Sequence, residues 1–355
     1  MLPQNGTKMW IPERVVFTPA ALEYAHGKRI FERVKSLGFP AEIEKNNRLA
    51  GLRGEDERAT YNKAKRTLAV VVAPPGQFKL QPIPPSANWQ FHLAEGCPAH
   101  CQYCYLAGSL SGPPVVRAYA NLDEILENLK GFVASEATSS TRTTFEVSCY
   151  TDPLSLEHLT GSLSHCIDFF GREMPRAQLR WVSKFDNVDG LLSIEHNGAT
   201  RCRASVNSPF VSRRFEGGTA TVEKRLAALR KLALPRENGG GSYPAGIVIA
   251  PIMALPNWQD DYSMLFDKIE KSLDFPCDLT FELITHRFTP GSRDVLQGWY
   301  PKSTLDMSDD GRELKRNKFG GAKYVYPRAQ MKEMRAWFSS EIARRFPHAT
   351  LLYWT

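Results

Sequence analysis

Between about residues 89 and 285 the chain alternates short apolar runs with stretches of helical period, and this pattern restricts its fold more than any other feature. Parallel strands joined by crossover helices read this way, because each return connection needs a covering helix. Strands are expected at residues 90–94, 143–149, 179–182, 202–206, 245–250 and 279–284. Between the first two, Asn121 is the expected N-cap of a helix, with Glu124 three residues on and Leu122, Ile125, Leu126, Leu129 and Val133 on one face. A second helix is expected over 221–232. Six such units are too few to close an eightfold barrel. The expected fold is therefore α/β, a partial (β/α)6 barrel over residues 89–288 with its helices outside.

An N-terminal α/β region is expected over 1–88, with a helix at 20–37 that Gly38 stops, a buried strand at 68–73 and an extended Pro-rich linker at 81–86. Residues 289–355 read as a C-terminal extension. It should hold a strand at 323–326 and a helix that carries Met334, Trp337, Phe338 and Ile342 at helical spacing. Hydrophobic residues at 42% and charged ones at 23% exclude a disordered or coiled-coil chain. No run approaches eighteen consecutive apolar residues, and the opening segment lacks a basic stretch followed by an apolar one. A cytoplasmic protein with no membrane association is expected.

The excess of 45 Lys and Arg over 38 Asp and Glu, a net +7, suits a polyanionic partner. Seven cysteines are present, and three of them, Cys97, Cys101 and Cys104, fall within eight residues. That crowding reads as metal binding in a reducing compartment. Thiolates select zinc or iron–sulfur centres. A structural zinc site would need His100 or a distant cysteine as fourth ligand. A cubane held by three thiolates would keep one iron open for a ligand, whereas electron-transfer clusters take four. Cys166, Cys202 and Cys277 have no motif around them and are expected in the core.

The C-x3-C-x2-C spacing, with Tyr103 before the last cysteine, resembles the motif of radical S-adenosylmethionine enzymes. A longer series of matches resembles the spore photoproduct lyase family: Gly96-Cys97, His100-Cys101, Tyr103-Cys104-Tyr105-Leu106, Cys149, Thr151-Asp152, Lys184-Phe185, and the run from His196 to Arg201. Ser205-Val206-Asn207, Phe215-Glu216, Ala250-Pro251-Ile252, Phe281 to Ile284, His286-Arg287-Phe288 and the closing Tyr353-Trp354-Thr355 continue it. The resemblance implies a radical-SAM barrel whose 4Fe–4S cluster is held by Cys97, Cys101 and Cys104, with S-adenosylmethionine as cosubstrate. It implies cosubstrate contacts at Tyr103, Thr151, Lys184, Ser205 and Ala250, and Asn207 beside Ser205 offers a further hydrogen bond. Cys149 matches the thiol that donates a hydrogen atom to a thymine allyl radical. Tyr105 matches a hydrogen-atom relay, with Tyr103 in the same pathway.

Taken alone, a cysteine that ends an apolar strand is a small buried hydrophobe, and tyrosines in a cluster loop serve as cover over the metal. What supports the functional reading is position: Cys149, Lys184, Ser205 with Asn207, Ala250 and His286 all fall at or just past expected strand ends, where barrel enzymes place their chemistry.

The implied activity is reversal of the methylene-bridged thymine dimer in damaged DNA, with an electron donor such as flavodoxin or ferredoxin and a monomeric protein. Asp152, His286, Arg287, Lys318 and Lys323 are the expected substrate and DNA contacts, with Tyr105 among them, because an extruded lesion needs flanking phosphates held at the barrel mouth. Arg213, Arg214, Arg293 and Lys315 extend this basic rim. Two segments depart from the family pattern. The family's Trp-Gly-Arg-Tyr-Gly-Ile-Gly-Lys-Tyr corresponds to residues 316–324 here, so Arg316 stands for its tryptophan and Lys318 for its arginine, without the guanidinium fork. Tyr150-Thr151-Asp152 replaces the usual Thr-Ser-Asp. A radical enzyme of the same fold acting on another nucleic-acid lesion or nucleotide is therefore an alternative, as is a non-enzymatic zinc protein that binds nucleic acid.

Overall fold

The computed structural model describes residues 6–110, 112–135, 142–147, 149–316 and 321–355. Its larger sheet has seven parallel strands: β1 (Ala87–Gln90), β2 (Thr143–Glu146), β3 (Ala177–Ser183), β4 (Thr200–Val206), β5 (Ala245–Ile252), β6 (Leu279–Thr285) and β7 (Thr350–Trp354), which lie side by side in chain order. An eighth strand, Gln81–Ile83, closes the β1 edge and runs antiparallel. The Pro-rich stretch expected as a linker is thus part of the sheet. Pro82 is tolerated because an edge strand has one side free of ladder bonds.

Side-chain alternation decides how this sheet is used. Along β4, Cys202, Ala204 and Val206 face the apolar core beneath the helices, together with Phe145, Leu179, Trp181, Ile247 and Phe281. The opposite set, Arg203 and Ser205, shares the other face with Glu146, Arg180 and Glu282. Two arginines and two glutamates neutralise one another there. Arg180 reaches Glu282 at 2.5 Å, Arg203 reaches Glu282 at 2.9 Å and also pairs with Glu146, and the Tyr353 hydroxyl donates to Glu282 at 2.7 Å. Gly246 leaves room for this network, since a Cβ there would lie 2.7 Å from Arg203 Cγ and 2.9 Å from Thr280 Oγ1.

The helices Leu122–Ser135, Ser162–Glu173, Val222–Ala233, Trp258–Ser272 and Arg328–Arg345 cover the core face. Asn121 does not cap the first of them through its side chain. Its Oδ1 accepts from the Ala73 amide at 2.8 Å and its Nδ2 donates to Glu124 at 3.1 Å, which ties the helix start to the neighbouring sheet.

That second sheet has the order Ala41–Ile43, Arg14–Phe17, Thr67–Val71, Val116–Tyr119 and Ala94–Glu95, with only the last strand antiparallel. It therefore draws two strands from beyond residue 88. The helix expected over 20–37 is split into a short 3-10 turn, Pro19–Glu23, and the helix Ala25–Ser36, because Tyr24 is extended between them. Gly27 allows the close return, since a Cβ there would overlap the Ala21 carbonyl. Residues 322–325 pair with Glu313–Arg316 in a separate antiparallel hairpin. No helix among the described residues is long and apolar enough to cross a membrane.

Candidate active site

The cysteine loop leaves the small sheet at Glu95 and is held from three directions. Gly96 has φ +78°, and any Cβ there would sit 2.4 Å from the Val115 carbonyl oxygen, so the entry to the loop requires glycine. The buried Lys65 ammonium donates to the carbonyls of Cys97 and Ala99. The Thr151 hydroxyl donates to the Gly96 carbonyl at 2.6 Å. His100 and Cys101 pair antiparallel with Gly217 and Glu216. His100 itself is committed elsewhere, as its Nδ1 shares a hydrogen bond with Tyr61 at 2.8 Å and burial lowers its pKa to about 4.

None of the three loop cysteines forms a disulfide. Burial pushes the Cys97 thiol up to about 12 and raises Cys101 as well, so protons must leave when iron binds. The thiols are spread along the loop: among the described residues, no three His, Cys, Asp or Glu side chains are grouped for a single metal ion. Three thiols on an anchored loop, with His100 Nδ1 engaged by Tyr61, are the donor chemistry of an iron–sulfur cluster.

Beside the loop, the ends of β3, β4 and β5 converge on one ammonium group. Lys184 Nζ donates to Ser205 Oγ at 2.8 Å and to the Ala250 carbonyl at 3.4 Å, and it meets Glu216 Oε1 at 3.1 Å. The Tyr103 hydroxyl also donates to Glu216, and Lys184 stands 5.7 Å from the centre of the Tyr103 ring. Four of the expected cosubstrate positions, Tyr103, Lys184, Ser205 and Ala250, are thus gathered, and Thr151 joins them through the loop. Glu216 organises the group. Burial alone would raise its pKa, but Lys184 and Arg225, the latter at 2.7 Å, hold it at about 2. Its carboxylate has no accessible surface. Phe215-Glu216 is one of the family matches in the sequence, but neither that match nor the Arg213-Arg214 run before it gave the carboxylate a role.

Cys149 follows β2 and is buried at 8% exposure. Burial, and then the Glu146 charge, raise its pKa, so the sulfur keeps its hydrogen at neutral pH. The Tyr105 hydroxyl donates to the Cys149 carbonyl while the rest of that side chain remains exposed. The expected pair is therefore brought together.

Other expected residues are placed differently. Asn207 is fully buried: Nδ2 donates to the Pro251 carbonyl at 2.7 Å, and Oδ1 accepts from Ser208 N and from the Tyr262 hydroxyl, both at 2.9 Å. Its Oδ1 is filled and one of its two Nδ2 hydrogens is used, so the amide ties the β4 and β5 ends together and keeps one donor for a further partner. Asp152 is turned inward too. It accepts from Ser183 Oγ at 2.7 Å and Lys184 N at 2.8 Å, and caps the helix Pro153–Thr160 through Ser155 N, so it joins strand ends instead of facing DNA. His286 is buried, with Arg312 donating to its Nδ1 at 3.2 Å and burial lowering its pKa to about 3. Arg287 and Lys323 lie together near the surface with Lys315, and burial and then the charges of Arg287 and Lys315 lower the Lys323 pKa. Arg293 is paired with Asp309. Lys318 lies outside the described residues.

A family model described as "Spore photoproduct lyase" matches residues 10–355. The chain belongs to the spore photoproduct lyase family. It is 39% identical over 351 residues to the spore photoproduct lyase of Geobacillus sp. (strain Y412MC61), covering 98% of this chain and 100% of that protein. It is 35% identical over 349 residues to the spore photoproduct lyase of Bacillus subtilis (strain 168), covering 98% and 99%. Among solved structures, a double mutant of spore photoproduct lyase with bound AdoMet and dinucleoside spore photoproduct superposes with a TM-score of 0.90 at 37% identity, over 98% of this chain and all of that one. A spore photoproduct lyase complexed with the dinucleoside lesion alone matches equally well. The α/β fold and curled half-barrel of this chain are those of the spore photoproduct lyase structures.

Proposed function

We propose that this protein is a DNA-repair lyase that reverts spore photoproduct, 5-thyminyl-5,6-dihydrothymine, to two thymines. The observation that carries the reading is the pairing of Cys149 with Tyr105 at the strand ends next to the cysteine loop. A 4Fe–4S cluster on Cys97, Cys101 and Cys104, with S-adenosylmethionine, would supply the 5′-deoxyadenosyl radical that starts the reaction.

The chain's own residues then have distinct tasks. Lys184 and Ser205 present donors to the carboxylate and amino-acid part of the cosubstrate, with Glu216 fixing the ammonium in place and Tyr103 packed over it. Cys149 stays protonated, so it can give a hydrogen atom to a carbon-centred thymine radical. One S–H bond breaks, one C–H bond forms, and a thiyl radical remains on the sulfur. Tyr105, whose hydroxyl meets the carbonyl of the same residue, would return a hydrogen atom to that sulfur, its O–H bond breaking as the S–H bond forms, and the phenoxyl radical left behind would regain its hydrogen from deoxyadenosine. Arg287, Lys315 and Lys323 gather like charge that draws DNA phosphates to the mouth, an interaction that weakens with salt. In this reading the protein acts as a cytoplasmic monomer and takes its electron from a donor of the flavodoxin or ferredoxin type, while residues 1–88 and 289–355 flank the barrel at 89–288 and add strands to both edges of its sheet.

The deciding experiment incubates anaerobically reconstituted protein with the dinucleoside lesion, S-adenosylmethionine and a reductant. Thymine release is the expected result. Cleavage of the cosubstrate without thymine would favour a different nucleic-acid lesion, a reading that rests on Lys318 and Tyr150 standing where the family differs.

A further inference from the structure

A polar cavity of about 340 Å³ opens beside the Cys149 turn and is not used by the chemistry described above. One wall is Tyr150, the residue next to Cys149, and Ser109 and Leu110 come from the chain just beyond the short helix that starts at Tyr105. The Tyr150 ring lies against His92, with centroids 4.5 Å apart and planes 36° from parallel. His92 is 7% exposed, its Nδ1 has no hydrogen-bond partner, and burial lowers its pKa to about 4, so the ring is a neutral aromatic with one idle polar atom. Lys79 and Arg117 line the same cavity, and neither makes an ion pair with another described residue. The wall also holds one carboxylate, Glu95, which accepts from Gln77 Nε2 at 2.7 Å and faces Arg117 across the strand ladder, so the lining carries two cations and one anion.

An aromatic face, two uncommitted cations and several amides in a space of this size match the chemistry of a nucleotide. Bases stack on aromatic rings regardless of sequence, and phosphates take Lys and Arg. The volume falls within the range of ordinary small-molecule sites. Tyr150 adjoins Cys149 in the chain, and Ser109 and Leu110 follow the turn that carries Tyr105, so the cavity borders both segments that bear the reacting side chains.

We propose that this cavity is a subsite for the nucleotide flanking the extruded lesion, its base against Tyr150 and His92 and its phosphate between Lys79 and Arg117. The proposal rests on the lesion-repair reading above and extends it to the neighbouring residue of the strand. It makes the substrate of this protein a lesion within a strand, with the isolated thymine pair a poorer one.

The test compares steady-state constants of the reconstituted holoprotein on the dinucleoside lesion and on the same lesion centred in a tetranucleotide. The unsubstituted protein is expected to show the lower KM on the tetranucleotide. A Lys79→Ala, Arg117→Gln double variant should raise the tetranucleotide KM by about tenfold or more, as loss of charge-assisted contacts implies, with the dinucleoside KM and both kcat values unchanged. The salt dependence of tetranucleotide binding should flatten by about 0.7 in slope for one lost single-strand phosphate contact. Tyr150→Thr should lose the flanking advantage as well. Equal KM changes on both substrates, or none on the tetranucleotide, would overturn the subsite while leaving the repair reading intact. Failure of the unsubstituted protein to release thymine from either substrate would overturn both.

Discussion

Glu216 is the residue whose removal tests the site most directly. In Glu216→Gln the side chain keeps its shape and an oxygen for Tyr103 and Lys184, but the negative charge disappears between two cations. The carboxyl titrates at about 2 against an ordinary 4.5, so the folded protein favours the ionised form by 2.5 pKa units. At 1.36 kcal/mol per unit this is on the order of 3 kcal/mol of stability at neutral pH. That agrees with the roughly 3–5 kcal/mol expected when one partner of a buried pair is removed. The folded pKa is depressed, so the contribution is complete above about pH 4.5 and is lost as pH falls toward 2. Denaturant titration at pH 7 should place the variant about 3 kcal/mol below the parent, and the gap should narrow progressively below pH 4.5. Binding of S-adenosylmethionine should weaken in parallel, because Lys184 loses the group that aims it. A difference under about 0.5 kcal/mol at pH 7, or a gap that does not change with acidification, would refute the argument that these charges hold the site together.

Cys101→Ala should abolish iron and sulfide incorporation along with lyase activity, and a variant that retains a full cluster complement would remove Cys101 from the ligand set. Cys149→Ala should still cleave S-adenosylmethionine but yield thymine at least tenfold less well, with quenched side products detectable by chromatography; an unchanged product distribution would take Cys149 out of the reaction. His26, His92 and His286 are all buried with pKa values lowered to about 4, 4 and 3. Stability should therefore be full above pH 6.5 and decline on acidification. His100 and His158 are lowered to about 4 as well. At pH 5.5 each such histidine costs on the order of 1 kcal/mol, so a denaturant series between pH 7.5 and 5.5 should show a loss of several kcal/mol.

The alternation of strands and helices was legible because it is local, and the strands at 177–183, 200–206, 245–252 and 279–285 lie within a few residues of where the pattern puts them. Errors appear where the partner is distant. The first strand sits at 87–90 instead of 90–94, since pairing of Trp89 with Phe145 and of Gln90 with Glu146 sets its register. The last strand, Thr350–Trp354, is a brief apolar run that becomes β7 only because the β6 edge is open to it. Asn207 and Asp152 carry polar groups at strand ends, as cosubstrate or substrate contacts would, and their side chains could have pointed either way; Pro251, Tyr262, Ser183 and Lys184 decided the matter.

Two things were determined by the sequence alone: a trio of thiols close enough to share one loop, and a repeating strand period that lays Lys184, Ser205 and Ala250 at successive strand ends. Both depend on neighbours a few residues apart, which the chain cannot separate. Tertiary structure alone decided that Lys65 would brace the cysteine loop from 32 residues away and that Glu216 would meet Tyr103 across 113. A buried charge is stable only where folding brings its counter-charge and hydrogen bonds to it. No local pattern marks such a residue before the chain has closed around it.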